Sequence, residues 1–161
     1  LIKQGKISWV HFAPPCATFS RARRGGNGPG PLRSEERPDG IAAPHLRSWD
    51  VTQANQLAKN TAKIATVAAR AGTYFTIENP EESLMWYLPC MRRIIQMPGV
   101  HQFVGDQCIF GGLYVKPTRW VTNAKWMQVV EGRCPGCPTH APHIPLRGKV
   151  KMPGSTRAAR R

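Results

Sequence analysis

Apolar and polar positions fall into regular patterns in only a few stretches of this chain, and those stretches predict its elements. Residues 6–13, Lys-Ile-Ser-Trp-Val-His-Phe-Ala, are β-branched and aromatic and run straight into Pro14-Pro15. The pattern predicts a strand ended by prolines, which cannot continue a ladder. From Ser48, a residue suited to a helix cap, Val51, Ala54, Leu57, Ile64, Val67 and Ala68 recur near helical spacing as far as Gly72. They predict a long helix with those six residues on its buried face. Thr73 to Ile77 then predict a second strand, stopping at Glu78-Asn79-Pro80. Strand, helix and strand make a βαβ unit, which is expected to be parallel and right-handed. Downstream, short helices are expected near 83–88 and 91–97, and strands at 100–104, 119–122 and 127–130.

Between the first strand and the long helix no hydrophobic period survives. Residues 20–47 carry Arg21, Arg23 and Arg24, a Gly/Pro run from Gly25 to Pro31, and Pro38-Asp39-Gly40. This is expected to be a long basic loop, a kind usually tied to function or disorder. Residues 147–161 hold six basic residues and no acidic one and are expected to form a disordered basic tail. The organisation expected is therefore a core region over 1–130, a Cys/His/Pro-rich loop over 131–146 and the tail.

Composition sharpens this picture. Lys and Arg total 23 against 9 Asp and Glu, a net charge of +14, which points to a polyanionic partner rather than to a fold. Hydrophobic residues at 41% are enough for a core and too many for a wholly disordered basic protein. Gly and Pro number 15 each, so loops take a large share of the chain. No apolar run reaches the ~18 residues of a membrane span, and the start does not read as a signal peptide. Five cysteines, an odd number spread unevenly, argue against a secreted disulfide scaffold. The expected location is intracellular, and the nucleus in a eukaryote, with no membrane partner.

Two residues carry the candidate chemistry. Cys16 follows the first strand and Glu78 the second, and open α/β sheets bind ligands at the carboxyl edge of parallel strands. A cysteine beside a carboxylic acid in a basic cleft suggests a nucleophile with a proton donor for its target. Arg21, Arg23 and Arg24 would favour the thiolate. The plainer alternative is a structural cysteine and a glutamate capping the turn at Pro80.

The local text resembles a known family. Ala13-Pro14-Pro15-Cys16-Ala17-Thr18-Phe19-Ser20 is similar to the Pro-Cys-Gln-x-Phe-Ser loop of DNA cytosine-5 methyltransferases, and Ile77-Glu78-Asn79-Pro80 to their Glu-Asn-Val strand end. Val115 to Trp120 resembles their Gln-x-Arg-x-Arg motif with only its final arginine, Arg119, kept. The order of the three pieces is the family's order, and they span 12–123. Cys108-Ile-Phe-Gly111-Gly112 followed by Lys116-Pro117-Thr118 also resembles methylase-like segments of mobile elements. The resemblance implies an α/β fold, part of a Rossmann-like methyltransferase parallel sheet that is rich in loops. It implies methyl transfer from S-adenosylmethionine to C5 of a flipped cytosine in DNA, through a thioether between Cys16 and C6. In those roles Cys16 is the nucleophile, Glu78 the partner of N3 and Arg119 a base or phosphate contact. Pro15, Ser20 and Asn79 support the loop and strand end, and Arg21, Arg23, Arg24 and Lys116 bind nucleic acid.

The chain also departs from that pattern. Ala17 stands for the usual Gln, Pro80 for Val, and the family's Gly-rich cofactor loop has no counterpart from Leu1 onward. The expectation is a catalytic region whose N-terminal cofactor half lies outside this chain, incomplete or inactive alone. The alternative is a decayed mobile-element module that binds nucleic acid without catalysis. A Cys–His hydrolase would need a histidine near Cys16, and the sequence places none there. Finally, Cys134, Cys137, His140 and His143 recur at three-residue intervals. They offer a zinc-type ligand set, with an incidental Pro-rich loop as the alternative.

Overall fold

The computed structural model describes residues 1–21, 30–41, 48–136, 143–144, 150–151 and 158–159. Arg23, Arg24, His45, Cys137, His140 and most of the Gly/Pro run lie outside them. Strand β1, Trp9–Phe12, is followed by the long helix α1, Ser48–Arg70, and by β2, Tyr74–Pro80. A 3₁₀ turn over Leu84–Tyr87, capped by Ser83, leads into the short helix α2, Pro89–Ile95. Strands β3, His101–Asp106, and β4, Pro117–Thr122, complete a four-stranded sheet of order β1-β2-β4-β3. In the stretch expected to be a disordered tail, Val150–Lys151 pairs antiparallel with Ala158–Ala159. Among the described residues no helix is long and apolar enough to cross a membrane.

The protein is thus a mixed α/β structure with a mixed sheet. β1 and β2 pair in parallel with Phe12 opposite Ile77, and α1 is the crossover a parallel pair requires. β4 is antiparallel to both β2 and β3, so β1, β2 and β3 run in one direction. The second strand does not stop before Glu78. It continues to Pro80 because β4 supplies partners there, Trp120 opposite Glu78 and Arg119 opposite Asn79. The strand expected at 127–130 is instead the end of a 3₁₀ segment, Lys125–Val130. Met127 there packs with Phe103, Ala124 and Trp120 against one face of the sheet.

The other face carries the larger core. Phe75, Ile77 and Val121 meet α1, together with Leu84, Met85, Trp86, Leu88, Met91, Ile94 and Phe19. The face that α1 buries matches the expected one only in part: Ala54 and Ala68 are buried and Val51 and Val67 half-buried, but Leu57 and Ile64 are not. Ala54, Ala58, Ala62, Ala65 and Ala68 point inward, whereas Leu57 and Ile64 remain 46% and 40% exposed. The bulky side chains come from the sheet and from Leu84–Ile94. Alanines let the helix axis approach them closely at native packing density, where a leucine would overpack.

Candidate active site

Because β1, β2 and β3 run the same way, their carboxyl ends share one edge of the sheet, which the amino end of the reversed β4 also reaches. The residues just past β1, the end of β2, the turn after β3 and Lys116 before β4 therefore converge there. Cys16 lies four positions beyond Phe12 on the strand next to the one that holds Glu78.

Cys16 is half-buried at the start of a turn closed by Phe19 N–H donating to its carbonyl at 2.9 Å. Three contacts hold this turn in place. Asn79, 3% exposed, donates its side-chain amide to the Pro14 carbonyl at 2.8 Å and so ties the two strand ends together. Leu84 N–H donates to the Phe19 carbonyl at 3.0 Å. The third contact is Arg33, which is 1% exposed and came from the stretch expected to be a basic loop. Its guanidinium donates to Thr18 O, Thr18 Oγ1, Pro38 O, Asn55 Oδ1 and Val51 O, at 2.6 to 3.2 Å. It also lies 3.8 Å from the Phe19 ring centroid. Those five bonds use every N–H an arginine has. Burial lowers its pKa to about 10, partly offset by Asp39, so it is a cation at neutral pH. A single arginine in a polar loop carries no sequence signal of burial.

Glu78 is 25% exposed at its side chain and ringed by donors. Its carboxylate lies 3.8 Å from His11 Nε2 and 3.9 Å from Lys116 Nζ, and Gln107 Nε2 donates to it at 3.5 Å. His11 and Gln107 were not expected here. The signal for His11 is strand alternation: it pairs with Thr76, two positions before Glu78 and on the same face. Lys116 arrives through the Gly111-Gly112 turn. Gly111, at φ +87°, ends the 3₁₀ segment Gln107–Phe110. A Cβ on Gly112 would sit 2.8 Å from the Gln107 carbonyl. The chain then returns so that Gln107 N–H reaches the Lys116 carbonyl at 3.3 Å. The Gly-Gly and Lys-Pro-Thr pieces are thus the two arms of one tight loop that delivers an ammonium to Glu78.

Arg119 is placed elsewhere. It pairs with Asn79, one position from the Glu78–Trp120 pair, so alternation puts it on the opposite face from Glu78. There it lies 5.6 Å from the Trp86 ring centroid. With Arg21, Arg92, Glu81, Glu82, Trp86 and Tyr87 it lines a cleft of about 420 Å³. Arg21 pairs with Glu35, which raises its pKa, and also donates to Tyr87 Oη at 3.3 Å and to the Glu82 carbonyl. It is committed to these partners. Pro15 is exposed and Ser20 half-buried beside the Cys16 turn.

At the far side of the same edge a cysteine and histidine cluster forms. Cys134 Sγ lies 3.6 Å from His143 Nε2, and Cys108 joins them. Cys108 is buried, and burial with the adjacent Cys134 thiol raises its pKa. Of the four ligands expected from spacing, two are present in this cluster, and Cys137 and His140 lie outside the described residues. No protein-family model, characterised protein or solved structure matches this chain.

Proposed function

We propose that this chain is the cytosine-binding catalytic region of a DNA cytosine-5 methyltransferase, with Cys16 as nucleophile and Glu78 as the group that engages N3 of a flipped base. The observation that supports it most is the parallel pairing of β1 with β2. It brings the Cys16 turn and Glu78 to one open edge, where Asn79, Arg33 and Leu84 hold the turn still. Preorganisation of that kind is what addition to an unreactive ring requires. S-adenosylmethionine, where bound, would supply an electrophilic methyl group. Among the described residues no glycine-rich turn leads from a parallel strand into a helix N-terminus, the usual cradle for a nucleotide-like cofactor. No step through that cofactor is therefore assigned to this chain.

Its own residues perform the addition. The Cys16 thiolate bonds to C6, the C5–C6 π electrons shift toward C4–C5, and N3 takes the proton of Glu78, which enters as the neutral acid and is left as carboxylate. His11, Gln107 and Lys116 keep that carboxylate in position. Arg92 and Arg119, in the cleft that Glu81 and Glu82 also line, suit phosphate oxygens, and the +14 charge supplies the general attraction to the backbone. The base must leave the stack to reach Cys16.

Thiol addition can be tested without the cofactor. After addition, C5 takes a proton from water, and reversal releases the original hydrogen. DNA carrying tritium at cytosine C5 should lose label to water in the presence of this chain. Cys16→Ser should abolish the release, and Glu78→Gln should slow it by about 10²-fold or more. No release by the wild-type chain, or equal release by Cys16→Ser, overturns the reading. Salt-sensitive DNA binding without release would point instead to a binding module.

A further inference from the structure

We infer that Cys108, Cys134 and His143 form a structural zinc site that fastens the loop beyond residue 131 to the turn after β3. The two sulfurs and an imidazole nitrogen all lie within 4.8 Å of one another. A tetrahedral zinc ion with Zn–S near 2.3 Å and Zn–N near 2.0–2.1 Å requires donor–donor separations of about 3.5–3.8 Å. The observed 3.6 Å between Cys134 Sγ and His143 Nε2 falls in that interval.

The surroundings are those of a ligand rather than of a free thiol. Gly136, at φ +87°, turns its N–H onto Cys134 Sγ at 3.3 Å, a donor that favours thiolate. Buried Asp106 accepts from Cys134 N–H at 2.7 Å and fixes where that residue sits. Asp106 N–H donates in turn to the Gly132 carbonyl, and Gly132 N–H to the Val104 carbonyl. The donors come from two segments, Cys108 after β3 and Cys134 with His143 in the loop, and residues 131–143, Glu-Gly-Arg-Cys-Pro-Gly-Cys-Pro-Thr-His-Ala-Pro-His, contain almost no apolar side chain to bury. A segment without its own core commonly depends on such a cross-link.

Two thiolates and an imidazole suit zinc and exclude the hard cations calcium and magnesium. Binding releases one proton from each thiol, and the histidine binds neutral. Three protein donors leave one corner of the tetrahedron for water or a further side chain. The site is independent of the proposed chemistry, although Gln107, next to Cys108, is one of the residues that reach Glu78.

The test is made on the full chain, purified under reducing conditions with zinc supplied. Mass spectrometry should find one zinc per chain, and cobalt substitution should give tetrahedral d–d bands with thiolate-to-cobalt charge transfer. Zinc affinity should fall at least about tenfold in Cys108→Ser and in His143→Ala, and stay unchanged in Cys90→Ser. Because Cys108→Ser could misfold, alkylation of the wild-type chain serves as a second readout. Zinc should protect Cys108, and a chelator should expose it. A chain that takes up no zinc, a Cys108–Cys134 disulfide that persists in reductant, or a Cys108 alkylated equally fast with and without zinc overturns the inference.

Discussion

Arg33 is the residue whose replacement should most clearly separate this structure from a generic basic loop. Its five donors meet five acceptors with no carboxylate among them. A hydrogen bond to a charged group contributes about 1.5–3 kcal/mol net, so the gross loss on removal is roughly 7–15 kcal/mol. Relief of the guanidinium's burial returns several kcal/mol. Water can also reach the half-buried acceptors at Thr18, Val51 and Asn55, whereas Pro38 is buried. The expected net cost of Arg33→Met is about 3–4 kcal/mol. For a chain of this size that lowers the melting temperature by about 10 °C. Arg33→Lys should cost nearly as much, because one ammonium has three donors radiating from a point and cannot reach acceptors on three segments. Urea unfolding followed by tryptophan fluorescence measures both, with an unchanged slope as the sign that only stability moved. Cys16 should also be alkylated faster in each variant, since Thr18 and Phe19 lose their anchor. A cost below about 1 kcal/mol for both variants, or full tolerance of lysine, would refute the reasoning.

Asn79→Ala removes the bond to Pro14 and leaves that carbonyl to find another donor. It should cost about 1–3 kcal/mol in urea unfolding and reduce tritium release from cytosine more than it reduces DNA binding. Exposed Arg133 chelates half-buried Glu81 at 2.6 and 2.9 Å and holds the Glu81 carboxyl below its ordinary 4.5. The resulting small stabilisation is complete above pH 4.5 and fades as pH falls through the lower folded value. Arg133→Gln should therefore flatten that part of the stability–pH curve, and no difference between the two curves would count against the pair. Gly105→Ala places a Cβ 2.1 Å from the Val130 carbonyl oxygen and should cost about 2–3 kcal/mol. Gly111→Ala, which meets open space but sits at φ +87°, should cost only about 1 kcal/mol by the same unfolding assay.

Where the chain marks its elements locally, the sequence alone determined them. Pro14-Pro15 ends β1, Gly72 at φ +72° follows α1, and Ser83 caps the turn before α2. These are effects between near neighbours, so spacing and residue type suffice. The parallel pairing of β1 with β2, and with it the shared edge of Cys16 and Glu78, was legible for a related reason, since a helix-length crossover leaves few other arrangements. Long-range pairing decided the rest. β4 lies between β2 and β3, and its register turns Arg119 away from Glu78 while Gly111-Gly112 brings Lys116 to it; a shift of one residue would exchange those faces. The choice of alanine over leucine on α1 depended on how much volume the sheet already filled. Burial of Arg33 and the meeting of Cys108 with Cys134 and His143 required segments far apart in sequence to converge. No local periodicity records that, because each partner is supplied by the fold and not by neighbours along the chain.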